Sequence, residues 1–509
     1  MIDRNRRSLI AGGLAAAAVW PGIGRARAAR FEAYPFSLGV ASGCPLPEGV
    51  ILWTRLTFPE PPPPADPFAP LEVIQRAPVD VSWDVAEDEH FTRPVRSGTV
   101  RAVQEFGHSV HVPVTGLRPG RWYFYRFRAG DAVSPVGRTR TAPAQETMAD
   151  RLRFAFASCQ QYEQGYYAAY RHMADEDLDL VVHLGDYIYE RSWGGNLVRH
   201  HGSGWPARLD EYRARHALYR SDPNLQAAHA RFPWLVIWDD HEVINNYGDD
   251  DAPDAPAGER FLEQRRAAYQ AWYEHMPVPP HGGGDFSEFR IYGQHGFGRL
   301  LGITLLDVRQ YRTPAMVGGQ GAAQADANSM LGAEQERWLE ETLPGARARW
   351  NVIAQPTLLS ERDLEQGAGT RYSLDGWDGY RASRRHLLDS IEAARLENPL
   401  IIGGDLHAYF AADVKRDFAQ PQSETVATEF VTGAISSNAP GQKSLDVALA
   451  ENPHLKLASR EHGYATMTLT PDGGQCDFVT IEDRKDPASP ASTTYSFALT
   501  SGQPGVNRI

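Results

Sequence analysis

The 509-residue chain reads as an α/β protein: a central sheet flanked by helices, preceded by an all-β domain of immunoglobulin or fibronectin type. Three observations predict this. Residues 32 to 145 are dominated by short alternating runs (VDVSWDV, GTVRAV, HSVHVPV, RWYFYRFRAG) broken at Gly107, Gly116, Pro119-Gly120 and Gly130-Asp131, the punctuation of a β-sandwich. Beyond Thr141-Ala142-Pro143-Ala144 the pattern becomes strand followed by amphipathic helix. Four apolar runs there end in polar clusters: FAFASCQ at 154–160, LVVHLGDYIYE at 180–190, WLVIWDDHEVINN at 234–246 and LIIGGDLHAYF at 400–410.

The chain opens on a leader, residues 1–28. Arg6 and Arg7 precede Ser8-Leu9-Ile10 and an Ala/Gly-rich apolar stretch to Val19-Trp20, and Ala26-Arg27-Ala28 offers a small-residue cleavage site. This is similar to a twin-arginine export signal. The apolar stretch falls short of the ~20 residues of a membrane span, and no later segment reaches that length. The expected mature protein is soluble, periplasmic or secreted, handed to the twin-arginine export machinery and without a stable membrane anchor.

Residues 29–145 form the expected β-sandwich domain. VTGLRPGRWYFYRF predicts a tight corner and then a strand, one of whose tyrosines bonds back to the backbone. The proline run at 60–64 is expected to be a stiff surface loop. Residues 146–509 form the second expected domain. YYAAYRHMADE and RLDEYRARHALYR supply helices, and GAEQERWLEETL sets Trp338 and Leu339 at helical spacing from Leu331 and Leu343. The acidic stretch DDDAPDAPAG at 249–258 reads as a flexible surface loop beside the third cluster.

Composition narrows the function. With 42% hydrophobic and 23% charged residues the chain is globular, and a formal net charge of -13 argues against a general nucleic-acid or anionic-membrane binder, which needs a basic surface. Three cysteines, Cys44, Cys159 and Cys476, are an odd count, so at least one is left unpaired; pairing of Cys44 with Cys476 stays open.

The clusters carry chemistry. Polar residues at the carboxyl ends of buried strands lie where open α/β sheets place their sites. Asp186 follows Gly185 on a tight turn, where its carboxylate could bridge two cations. Asp405 and His407, after Gly403-Gly404, lie two residues apart on an extended segment and therefore on one side of it. Carboxylate with imidazole suits a first-row metal, and extra carboxylate or amide oxygen suits Ca²⁺ or Mg²⁺. Each residue alone has an ordinary reading: a turn former, a helix cap, a buried small hydrophobe for Cys159, a core residue for His183. Together, four strand ends present thiol, phenol, carboxylates, amide and imidazoles in one layer.

SCQ, GDYIYE, WDDHEVINN and GGDLH, in this order, resemble the PhoD-like alkaline phosphatase and phosphodiesterase family of the calcineurin-like metallophosphoesterases. FSLGVASGCPLPEGVILWTRL resembles that family's amino-terminal domain, so the resemblance spans nearly the whole mature chain. It implies a metallophosphoesterase-type β-sandwich core flanked by helices and a centre of Fe³⁺ and Ca²⁺. The implied ligands are Cys159, bridging Asp186, Tyr189, Asp405 and His407. An asparagine ligand for Ca²⁺ falls on Asn245, with Asn246 open beside it. Asp240 adds a ligand or orients His241, and His241 is expected to face the leaving oxygen. This chain has Asp239-Asp240-His241-Glu242 where many metallophosphoesterases have Gly-Asn-His-Glu.

Cations would neutralise a phosphate ester and lower the pKa of bound water, with direct attack by a metal-activated oxygen and His241 as general acid. Arg309 and Arg312, in LLDVRQYRTP, are candidates to grip phosphate oxygens, the plainer alternative being surface ion pairs. The expected activity is an exported alkaline phosphatase acting on phosphomonoesters and on phosphodiesters, for phosphate scavenging. A phospholipase D-like diesterase on the same centre and a non-catalytic phosphate- or sugar-binding protein are the alternatives. The substrate and the oligomeric state are left open by the sequence.

Overall fold

The structure is a computed structural model that describes residues 31–59, 76–253, 258–314 and 328–509. The leader at 1–28 and the proline run at 60–64 lie outside the described residues.

The amino-terminal region supplies β1 (Val40–Leu46), β2 (Gly49–Arg55), β3 (Val79–Ala86), β4 (Pro94–Ala102), β5 (Ser109–Thr115), β6 (Trp122–Ala129), β7 (Ala132–Val133) and β8 (Gly137–Arg140). Then come β9 (Leu152–Ala157), α1 (Ala168–Asp175), β10 (Leu180–Leu184), α2 (Leu209–Arg220), α3 (Pro223–Arg231), β11 (Pro233–Ile237) and α4 (Glu259–His275). The second half adds β12 (Gly293–Phe297), β13 (Leu301–Leu305), α5 (Gly332–Thr342), β14 (Trp350–Ala354), α6 (Arg381–Ala393), β15 (Pro399–Gly403), β16 (Tyr409–Lys415), β17 (Thr425–Val431) and α7 (Gln442–Glu451). It closes with β18 (Leu455–Ser459), β19 (His462–Leu469), β20 (Gly473–Ile481), β21 (Ala491–Thr500) and β22 (Gln503–Arg508).

Two sheets pack face to face. One is ten-stranded, β22-β21-β20-β19-β9-β10-β11-β1-β2-β5; the other is seven-stranded, β12-β13-β14-β15-β17-β16-β18. Strands β9, β10 and β11 run parallel, as do β13, β14, β15 and β17. Parallel strands need both faces covered, which is why they are near-continuous apolar runs. Alternation along β9 shows the two faces: Phe154 and Phe156 point between the sheets, against Ile303, Leu305, Val352 and Ile402, while Ala155 and Ala157 face α1 to α4. Full burial of each such phenylalanine stabilises by about 1.5–3 kcal/mol. Outside the second sheet, Leu339 of α5 and Leu387, Leu388 and Ile391 of α6 cover Ile353, Ile401 and Ala427. The layers are helix, sheet, sheet, helix.

The amino-terminal region is joined to this body by hydrogen bonds. Strands β3, β4, β6, β7 and β8 form a separate five-stranded sheet, but β1, β2 and β5 extend the ten-stranded one, with β1 pairing parallel to β11 at Ser42–Pro233 and Gly43–Trp234. The sheet therefore runs across the boundary expected at residue 145. Val81, Val85, Tyr125 and Phe127 pack on Val50, Leu52, Val112 and Val114 to close a sandwich between the five-stranded sheet and that extension. At its corner the Tyr123 hydroxyl accepts a 2.9 Å bond from the Arg118 N–H, fixing the entry to β6.

Candidate metal centre

Both packed sheets bring strand ends to one place. Cys159 follows β9, Asp186 follows β10, Asp239, Asp240 and His241 follow β11, and Asp405 and His407 follow β15. A bridge between Ser158 and Ala434 fastens the two sheets there.

The turns that carry the donors are costly ones. Cys159 (φ 60°), Asp186 (56°), Asp405 (60°) and His407 (53°) are all in the left-handed region, where a non-glycine residue persists only if its surroundings over-determine it. Gly185, at φ 99°, lets two of these loops touch: a Cβ there would stand 2.5 Å from the Asp239 nitrogen and 2.6 Å from its Cβ. Glu242 locks the same two loops, its carboxylate accepting N–H bonds from Asp186 (3.1 Å), Tyr187 (2.6 Å) and Asp239 (2.8 Å).

Three groups of donor atoms, each with its members within 4.8 Å of one another, converge: Cys159, Asp186 and His407; Asp186, Asp240 and His241; Asp186, Asp239 and Asp405. Asp186 belongs to all three. The Tyr189 hydroxyl donates to Asp186 Oδ2 at 2.8 Å and lies 3.0 Å from His407 Nε2. Ser437 donates to Tyr189 and Thr357 to Asp405, at 2.9 and 2.8 Å.

The donor set fits a cation. Asp186 Oδ1, Asp239 Oδ2 and Asp240 Oδ1 are buried without a hydrogen-bond partner, an arrangement that costs several kcal/mol unless a positive charge compensates it. Burial and the neighbouring Asp240, Asp375 and Asp186 push the Asp405 carboxyl up to about 6 although Arg309 opposes them. Burial also raises Cys159 and Tyr189, and Asp186 raises them further. Against burial, His241 and His407 hold Asp186 well below the usual carboxylate range. His241 is the opposite case. Burial disfavours its charge, but Asp240, Glu190 and Asp186 together carry its pKa well above the ordinary imidazole value. Glu190 Oε2 sits 2.7 Å from His241 Nδ1.

Arg309 and Arg312 are neither surface ion pairs nor forks open to solvent. At 1% and 0% exposure they are core residues. Arg309 bonds Asp239 through Nε at 2.5 Å and Asp375 through both terminal nitrogens at 3.0 Å. Arg312 reaches the same Asp375 side chain at 2.7 Å and the carbonyl of Asn246 at 3.1 Å. Both guanidiniums hold the Asp375 carboxylate, and Arg309 holds Asp239 as well. Asn245 and Asn246 flank it through the backbone, donating N–H to Glu190 at 3.3 Å and to Asp240 at 2.7 Å. His183 is in the core, stacked over Trp234 at 6.0 Å between centroids. All three cysteines are free thiols.

Sequence reasoning left out Asp239, Glu190, Glu242 and Asp375. For Asp239 the signal was present, since it directly follows the apolar run of the third cluster. Glu190 and Glu242 hold other site residues, and Asp375 lies in the loop SLDGWDGY with no apolar run before it.

A thiol, a phenol, four carboxylates and two imidazoles gathered at strand ends of a two-sheet, helix-covered body define a metallohydrolase-like centre. Residues 154–478 match the family model of the PhoD-like phosphatase and residues 22–143 that of the PhoD-like phosphatase N-terminal domain. Alkaline phosphatase D of Bacillus subtilis (strain 168) is 42% identical over 496 residues, spanning 95% of this chain and 84% of the relative. A solved structure described as "Structure of PhoD" superposes with a TM-score of 0.88 at 41% identity, covering 95% of this chain and 93% of that one. The chain belongs to the PhoD-like phosphatase family, and with it to the phosphoric ester hydrolases.

Proposed function

We propose that this protein hydrolyses phosphomonoesters, and phosphodiesters as well, outside the cytoplasm after twin-arginine export, at a centre of Fe³⁺ and Ca²⁺. The residues proposed to hold the cations are Cys159, Asp186, Tyr189, Asp240, Asn245, Asp405 and His407, joined by Asp239. One observation carries the reading: Asp186 is shared by three donor groups, as a bridging carboxylate would be. When bound, cations neutralise the ester's oxyanions and lower the pKa of coordinated water.

The chain's own groups supply the rest. Glu190 orients the His241 ring and favours its protonated form, which suits His241 to give a proton to the leaving alkoxide. The same ring lies within donor distance of Asp186 and Asp240, so a ligand role competes with the acid role. Arg309 and Arg312 act by fixing Asp239 and Asp375. Among the described residues no helix is long and apolar enough to cross a membrane.

The test is elemental analysis of natively exported protein together with hydrolysis of p-nitrophenyl phosphate, bis-p-nitrophenyl phosphate and lipid vesicles. Iron with calcium and turnover of the first two esters is the expected result. A metal-free protein that binds phosphate without turnover would replace the hydrolase by a binding protein, and preference for vesicles would favour a phospholipase D-like diesterase.

A further inference from the structure

Beside His241 the side chains form a ladder of rings and one guanidinium. Tyr189 stacks on His241 at 4.2 Å, and Trp193 meets the same His241 ring edge-on at 5.2 Å. The Arg191 guanidinium lies 4.3 Å from the Trp193 ring centre and 4.7 Å from that of Trp205. Trp205 ends the ladder with 53% of its surface in solvent. The loop around it is roomy: a Cβ added at Gly195, Gly202 or Gly204 would meet nothing within 4 Å.

A single exposed tryptophan is ordinary on a protein surface. This one is connected to His241 through three successive contacts, by way of Arg191 and Trp193, and its neighbour is cationic. We propose that Trp205, Arg191 and Trp193 form a leaving-group subsite for phosphate esters that carry an aromatic ring, nucleotides foremost. The subsite rests on the phosphatase reading above and adds a substrate class to it. A nucleobase offers a π face to Trp205, a contact worth about 1–3 kcal/mol per base. Arg191, held between two indoles by cation–π attraction and 3.5 Å from Glu190 Oε1, fixes the two indoles relative to each other and has little rotamer freedom left to lose.

The experiment uses the full-length, metal-loaded protein with adenosine 5′-monophosphate and glycerol 2-phosphate as substrates, and calorimetric binding of adenosine as a readout independent of turnover. Trp205→Ala is expected to lower the ratio of kcat/KM for the nucleotide over the glycerol ester about tenfold and to weaken adenosine binding by a similar factor. Trp205→Phe should keep most of both. An unchanged ratio with unchanged adenosine binding overturns the subsite. If the unsubstituted protein hydrolyses neither ester, the phosphatase reading falls, and adenosine binding alone then decides the subsite: loss in Trp205→Ala supports it, indifference removes it.

Discussion

Glu190 and His241 are joined by a 2.7 Å hydrogen bond between a carboxylate oxygen and ring Nδ1, both residues buried. The bond fixes the ring plane and stabilises the imidazolium against the cost of burying it. If His241 is the general acid, His241→Ala lowers kcat by about 10²- to 10⁴-fold with metal content near normal. Glu190→Gln, acting through His241, lowers it by about 10- to 100-fold. Because the two act as a unit, the double variant should be no slower than His241→Ala. Steady-state kinetics with metal analysis checks this; multiplicative losses would mean independent roles, and loss of metal in His241→Ala would make the ring a ligand.

Asp186 is the donor common to all three groups. Asp186→Ala should therefore remove metal and activity together, whereas Asp405→Ala, which touches one of those groups, should leave part of the metal bound. Metal-to-protein ratios from emission spectrometry decide it. Full metal occupancy in Asp186→Ala would end the bridging assignment.

Much of this was legible in the sequence because strand ends in parallel sheets announce themselves: FAFASCQ, LVVHLGDYIYE, WLVIWDDHEVINN and LIIGGDLHAYF each begin as a buried, mostly apolar strand and end in a polar cluster. The pairing of β1 with β11 was not legible. Nothing local in VASGCPL says that the partner of β1 lies almost two hundred residues away. The same limit applied to Arg309. A guanidinium in LLDVRQYRTP shows its charge, but its counter-ions Asp239 and Asp375 are chosen by tertiary packing. Glu190 and Glu242 were passed over for a related reason, since their partners are the site's own backbone and His241 rather than a ligand.

Arg309 is buried and paired with Asp239 and Asp375, with Asp240 3.6 Å away. Truncating one partner of a buried ion pair typically costs about 3–5 kcal/mol, so Arg309→Met should lower the unfolding free energy by that order and disturb metal loading through Asp239. Arg309→Lys keeps the charge but loses the fork, and should fall between. Urea unfolding of metal-free protein separates the stability effect from loading. A stable Arg309→Met variant with lowered phosphate affinity would return Arg309 to the substrate.

Stability should fall on acidification through histidines that are buried uncharged. Burial pushes His111 down to about 4 and His201 and His216 down to about 3, against about 6.5 in an unfolded chain. Between those values the unfolded state binds protons that the folded state refuses. Their contribution is complete above about pH 6.5 and is lost as pH falls towards the folded values, at up to about 1.4 kcal/mol per pH unit for each histidine. Asp405, raised to about 6, and Glu429, raised to about 7, work the other way, holding protons in the folded state that the unfolded state gives up. A single substitution isolates one contribution from this balance. His216 has both ring nitrogens unpartnered and a stacked His275 at 4.9 Å, and Arg55, Arg215 and Arg220 oppose its charge. His216→Gln should therefore take up about one proton fewer on unfolding. Urea denaturation at about pH 7 and about pH 5 should show the substituted protein losing less stability across that interval than the unsubstituted one; equal losses would mean that His216 is already charged in the folded state.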